Sequence, residues 1–143
     1  MPPLSIMIKP ASSLCNMRCE YCFYHNVTEL REVSSFGIMT NETADKLIEK
    51  ALAFANGESV AFAFQGGEPL MAGIPYFEHF VEKVKSANHL HSQIYFSTQT
   101  NGTLVTDEWC EFFHKNNFLV GLSLDGNFEH NKFRVDANRE NTF

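Results

Sequence analysis

The sequence predicts an α/β fold: parallel strands backed by outer helices, in a partial (β/α) barrel that stops after about four βα units. Three observations predict it. Apolar runs of strand length alternate with segments of helical periodicity, in the order β-loop-α-β-α-β-α-β, and such alternation builds a parallel sheet with right-handed crossovers. The run Val60-Ala61-Phe62-Ala63-Phe64 is apolar throughout, as expected of a parallel strand covered on both faces. Finally, every unusual loop follows a strand: the loop of Cys15, Cys19 and Cys22, then Gly66-Gly67, Asn101-Gly102 and Asp125-Gly126. That placement gathers them at the C-terminal edge of the sheet, where α/β proteins put their sites.

The first strand is the apolar run Leu4 to Ile8, ended by Pro10. The cysteine loop follows and is expected to continue as loop through Tyr24-His25-Asn26 to about Met39. Thr40 then suits an N-cap, with Glu42 in the first turn where the helix dipole favours an anion. Ala44, Leu47, Ile48, Ala51, Leu52 and Ala55 recur at helical spacing, and Asn56-Gly57 ends the pattern. After the second strand and its Gly-Gly break, Phe77, Phe80, Val81 and Val84 mark one face of another helix. Ile94 to Thr98 reads as the third strand. Thr106 caps a helix carrying Trp109, Phe112 and Phe113, in which Cys110 is expected to be a buried structural thiol. Leu119 to Leu124 reads as the fourth strand, and a polar tail containing Arg134 follows.

Composition narrows the function. No run of 18 apolar residues exists, so no membrane span is expected. A net charge of -6 without a block of Lys or Arg argues against nucleic acid as the main partner. Four cysteines with no export signal point to a reducing, cytoplasmic setting and to metal or redox chemistry, not disulfides. At 143 residues the chain is long enough for a core but short of the roughly 200 or more that a closed barrel takes. Residues 1–143 are therefore expected to be the N-terminal, incomplete portion of a longer enzyme.

The chemistry lies in Cys15-Asn16-Met17-Arg18-Cys19-Glu20-Tyr21-Cys22. Three thiolates at C-x3-C-x2-C spacing can each bind one iron of a [4Fe-4S] cube, leaving the fourth iron open. Open coordination is the mark of a catalytic centre. The alternative is zinc: His25, three residues beyond Cys22, would complete a Cys3His site in an α/β binding module. The residues alone leave both open.

Two motifs in order shift the balance. C-x3-C-x2-C with Tyr21 just before its third cysteine, and Gly66-Gly67-Glu68-Pro69 at the end of the second strand, resemble the signatures of the radical S-adenosylmethionine (SAM) superfamily. Further stretches are similar to the N-terminal half of anaerobic sulfatase-maturating enzymes: Met1-Pro2-Pro3-Leu4, Ile8-Lys9-Pro10-Ala11-Ser12-Ser13, Gln99-Thr100-Asn101-Gly102-Thr103-Leu104 and Val120-Gly121-Leu122-Ser123-Leu124-Asp125-Gly126.

The resemblance implies a radical SAM oxidoreductase. A [4Fe-4S] cluster on Cys15, Cys19 and Cys22 cleaves SAM reductively, and a Cys or Ser of a sulfatase polypeptide is oxidised to Cα-formylglycine under anaerobic conditions. It implies SAM contacts at Tyr21 (adenine), Gly66, Gly67 and Glu68 (amino group), Ser123, and Arg134 (carboxylate). Gln65, Gln99, Thr100 and Asn101 are candidates for the surrounding shell. It implies a flavodoxin or ferredoxin as electron donor. The family's proton acceptor and its SPASM-type domain are expected beyond Phe143, so no catalytic acid or base can be named here. Related enzymes that modify other peptides share these motifs, and the residues that distinguish them are expected in the same missing half.

Overall fold

The computed structural model describes residues 3–143, apart from the side chain of His25. Met1 and Pro2, part of the resemblance above, lie outside the described residues. Four strands, β1 (Leu4–Ile8), β2 (Val60–Phe64), β3 (Ile94–Thr100) and β4 (Phe118–Leu122), form one sheet in the order β1-β2-β3-β4. All three pairings are parallel, with Ile6 opposite Phe62, Phe62 opposite Phe96 and Phe96 opposite Phe118. The predicted α/β class and parallel order therefore hold.

The helices are α1 (Phe23–Glu29), α2 (Asn41–Ala55), α3 (Ile74–Ala87) and α4 (Asp107–Lys115). Thr40 caps α2 by accepting from Thr43 N, and Thr106 caps α4 by accepting from Trp109 N. Asn56 ends α2 in the left-handed region at φ +48°. Along the sheet, period-2 alternation sends Phe62, Phe64, Phe96 and Phe118 to the helix side. There they pack with Phe77 and Phe80 of α3 and with Phe112 and Phe113 of α4. The core is thus largely aromatic, with edge-on contacts such as Phe77 on Trp109 at 5.3 Å between ring centroids. Across the outside, Lys83 of α3 reaches Glu49 of α2 at 2.6 Å, and His79 reaches Asp45 at 2.8 Å.

Five expectations need correction. The segment after Cys22 is not all loop, because Phe23–Glu29 forms α1, though no side chain caps its start. The third strand runs on to Thr100, and the fourth spans Phe118–Leu122 in place of Leu119 to Leu124. Among the described residues, the strand Val60–Phe64 is fully covered on one face only. Its Val60, Phe62 and Phe64 are buried, but Ala61 and Ala63 are half-buried on the other face, beside exposed Met7, Tyr95 and Leu119. Cys110 is exposed, not buried. The buried stripe of α4 is Trp109, Phe112 and Phe113, and at 3.6 residues per turn Cys110 is rotated about 100° from Trp109.

Candidate functional site

The site forms where the loops after all four strands meet. The cysteine loop is held on both flanks by backbone. On one side Arg18 N donates to Val135 O (2.7 Å) and Glu20 N to Phe133 O (2.9 Å), with an antiparallel bridge between Met17 and Asp136. On the other side Glu68 N donates to Leu14 O at 2.7 Å.

That second contact needs the glycine pair. Gly66 and Gly67 have φ of +92° and +56°, conformations that cost a residue with a Cβ. A Cβ on Gly67 would lie 2.2 Å from Leu14 O. Backbone therefore occupies the space that a side chain would take, and the Gly-Gly turn sits directly against the cysteine loop.

Glu68 is 1% exposed. Burial of a carboxylate is tolerated only with hydrogen-bond partners. Oε1 accepts from Leu70 N (3.0 Å) and Thr100 Oγ1 (2.8 Å), and Oε2 accepts from Asn101 N (2.8 Å). This carboxylate ties the loop after β2 to the end of β3.

Across the opening, Tyr21 Oη donates to Asp125 Oδ2 and accepts from Arg134 Nη1 at 2.8 Å. Partial burial raises the Tyr21 hydroxyl above its ordinary pKa, and the bond to Asp125 adds to this. One residue past β4, Ser123 Oγ accepts from Gln99 Nε2 at 2.8 Å. Gly121 makes room for that arm, since a Cβ there would lie 2.2 Å from Gln99 Oε1. Phe23 and Tyr24 stack at 4.3 Å, and Lys9 Nζ lies 4.6 Å over the Tyr24 ring.

Cys15, Cys19 and Cys22 are free, half-buried thiols. Burial pushes Cys15 above the usual cysteine value, with Glu68, Cys19 and Cys22 adding to the rise and the Met17 N–H opposing it. Burial also raises Cys19, against the pull of Arg134. Among the described residues no three His, Cys, Asp or Glu side chains converge on a single ion. A cube does not require that, because each thiolate binds a different iron. Three thiolates on one zinc do: at Zn–S bonds of about 2.3 Å the sulfurs would sit within about 4 Å of one another. The His25 side chain, which a Cys3His site would add, lies outside the described residues.

The structure thus brings the cysteine loop, Gly66, Gly67, Glu68, Tyr21, Arg134 and Ser123 to one end of the sheet, and leaves Cys110 in α4 apart from them. Sequence reasoning missed Asp125, Asn16 and Thr103. Asp125 passed as a turn residue, yet its place in the loop after β4 put it at the same edge.

A parallel sheet with a three-thiol loop after its first strand and a Gly-Gly-Glu turn after its second defines the class. The chain belongs to the Radical SAM superfamily, which matches residues 10–143. It is 49% identical to a cysteine-type anaerobic sulfatase-maturating enzyme of Clostridium perfringens over 144 residues, covering 100% of this chain and 39% of the relative. A serine-type anaerobic sulfatase-maturating enzyme of Bacteroides thetaiotaomicron is 39% identical over 133 residues, covering 92% of this chain and 32% of that protein. Among solved structures, native anSMEcpe with bound AdoMet superposes with a TM-score of 0.91 at 48% identity, over 99% of this chain and 38% of that one. The same protein with AdoMet and Cp18Cys peptide gives 0.90 at 48% identity, over 99% of this chain and 37% of that one. The chain therefore spans about two-fifths of the length of these relatives. Among the described residues no helix is long and apolar enough to cross a membrane.

Proposed function

We propose that this chain is the radical-generating part of a cysteine-type anaerobic sulfatase-maturating enzyme, converting a sulfatase cysteine to Cα-formylglycine. The observation that carries the reading is the direct packing of the Gly66-Gly67 turn on the cysteine loop, with Glu68 N on Leu14 O at 2.7 Å. A cofactor held by the thiols and a ligand held by the turn are then neighbours. The cysteine type is favoured by the 49% identity to such an enzyme against 39% to a serine-type relative.

In this reading Cys15, Cys19 and Cys22 hold a [4Fe-4S] cluster, which when bound supplies one electron for reductive cleavage of SAM. The chain's own residues bind and orient. Backbone at Gly66 and Gly67 receives the SAM amino group, and the buried Glu68 carboxylate places negative charge beside that ammonium. Arg134 grips the SAM carboxylate with charge-assisted bonds. Tyr21 lies along the adenine, and Ser123 closes the side opposite the cysteine loop. Phe23 and Tyr24 restrict water at the mouth. The electron comes from a flavodoxin- or ferredoxin-type donor in a reducing, cytoplasmic setting.

The test is anaerobic reconstitution with iron and sulfide, reduction with dithionite, and chromatographic detection of 5'-deoxyadenosine and methionine. Equal amounts of both products, lost in Cys15→Ala, Cys19→Ala and Cys22→Ala, support the reading. A cluster-loaded protein that leaves SAM intact overturns it.

A further inference from the structure

Three polar side chains close a hydrogen-bonded ring beside Cys15. Asn101 Nδ2 donates to Asn16 Oδ1 at 2.9 Å. Asn16 Nδ2 donates to Thr103 Oγ1 at 2.7 Å. Thr103 Oγ1 donates back to Asn101 Oδ1 at 2.7 Å, and Thr103 N to the same oxygen at 3.0 Å. Each hydroxyl and amide in the ring both gives and accepts. One Asn101 N–H is left over, and Cys15 Sγ lies 3.8 Å from that nitrogen, within reach of a hydrogen bond to sulfur.

The ring is not a floating surface feature. The backbone N–H of Asn101 is fixed at 2.8 Å on Glu68 Oε2. Glu68 is itself almost fully buried and anchored to Thr100 and Leu70. A continuous path thus runs from the β2 turn, through the Glu68 carboxylate and Asn101, to the residue pair Cys15-Asn16. A turn alone needs only the Asn101 Oδ1 bonds to Thr103. The two Nδ2 contacts reach a loop 85 and 86 residues away in sequence, and turn chemistry does not account for them.

We propose that Asn101 is a positioning residue of the iron–sulfur centre: through Asn16 it fixes the start of the cysteine loop, and it directs an N–H to the Cys15 sulfur. This rests on the cluster reading given above. A donor to a ligating sulfur stabilises the extra negative charge of the reduced state, so it raises the reduction potential. Asn101 thereby acts on the ease with which the centre accepts an electron, not on SAM.

The experiment compares the wild-type chain with Asn101→Ser and Asn16→Ala, all reconstituted anaerobically, by EPR-monitored redox titration and by the rate of iron loss to a chelator. In Asn101→Ser the hydroxyl still caps the turn but falls short of the sulfur. Its midpoint potential shifts to more negative values, while its apo form melts as the wild type does. Asn16→Ala opens the ring and keeps the Asn101 amide. It loses iron several-fold faster, with a smaller shift in potential. An Asn101→Ser protein with wild-type potential and wild-type iron retention overturns the proposal. If Asn101→Ser takes up no cluster, amide exchange at Asn16 and Met17 in the apo chain decides: several-fold faster exchange supports positioning, and unchanged exchange overturns it. Failure of the wild type to form a cluster would instead overturn the function proposed above.

Discussion

At Gly67 the missing Cβ is what lets two loops meet, with Leu14 O only 2.2 Å from where it would be. Gly67→Ala combines that clash with a side chain at φ +56°. It is expected to cost about 1–3 kcal/mol in urea denaturation and to reduce iron uptake on reconstitution by displacing the cysteine loop. Arg134 is the opposite case, a residue whose proposed part is charge. Its hydrogen bond to Tyr21 leaves the remaining guanidinium donors for a carboxylate. Arg134→Ala is expected to weaken SAM binding at least about tenfold in equilibrium dialysis, the scale of a charged hydrogen bond. Arg134→Lys should recover little, because an ammonium lacks the two-pronged geometry. The cysteine and glycine motifs were legible in sequence because ligand spacing and a side-chain-free turn are local properties. Asn16, Thr103 and Asp125 were not, since their partners lie far away in sequence: 85 residues from Asn16 to Asn101, and 104 from Tyr21 to Asp125.

Among the elements, those with strong periodicity and a capping hydroxyl were readable. Helices α2 and α4 start at Thr40 and Thr106, each accepting a backbone N–H. Loss of either hydroxyl, as in Thr40→Ala or Thr106→Ala, should cost about 1 kcal/mol. Phe77→Ala should cost about 3–5 kcal/mol by opening a cavity in the aromatic core, measured on the same urea curves. Helix α1 was not readable. Its segment FYHNVTE carries few strong helix formers and no clear apolar stripe, and no side chain caps it. Cys110 was misjudged for a related reason. Adjacency to buried Trp109 in sequence is not adjacency on a helix, where the i+3 and i+4 neighbours share a face. Exposed Cys110 should alkylate without denaturant, and Cys110→Ser should bind as much iron as the wild type.

At the scale of the chain, helices α2, α3 and α4 lie on one side of the sheet. The other face sets the small residues Ser5, Ala61, Ala63, Ser97 and Gly121 among the larger, exposed Met7, Tyr95 and Leu119. The run Val60–Phe64 misled on this point, because its small Ala61 and Ala63 read as simply apolar. Small residues on the open face leave space above the sheet, and the loops carrying the thiols and glycines border that space at its C-terminal end. Order of strands, placement of loops and the motifs on them were all consistent, which is why class and site location could be read together. On the function proposed above, their shared consequence is that the three thiols would serve one cube, with Cys110 uninvolved. Iron, sulfide and zinc analysis with EPR of the anaerobically reconstituted chain tests this most directly. The cluster assignment predicts about four irons and four sulfides per chain, with a reduced-state EPR signal that changes on adding SAM and is lost when Cys15, Cys19 and Cys22 are replaced by Ala. A colourless protein holding stoichiometric zinc and no sulfide would contradict it.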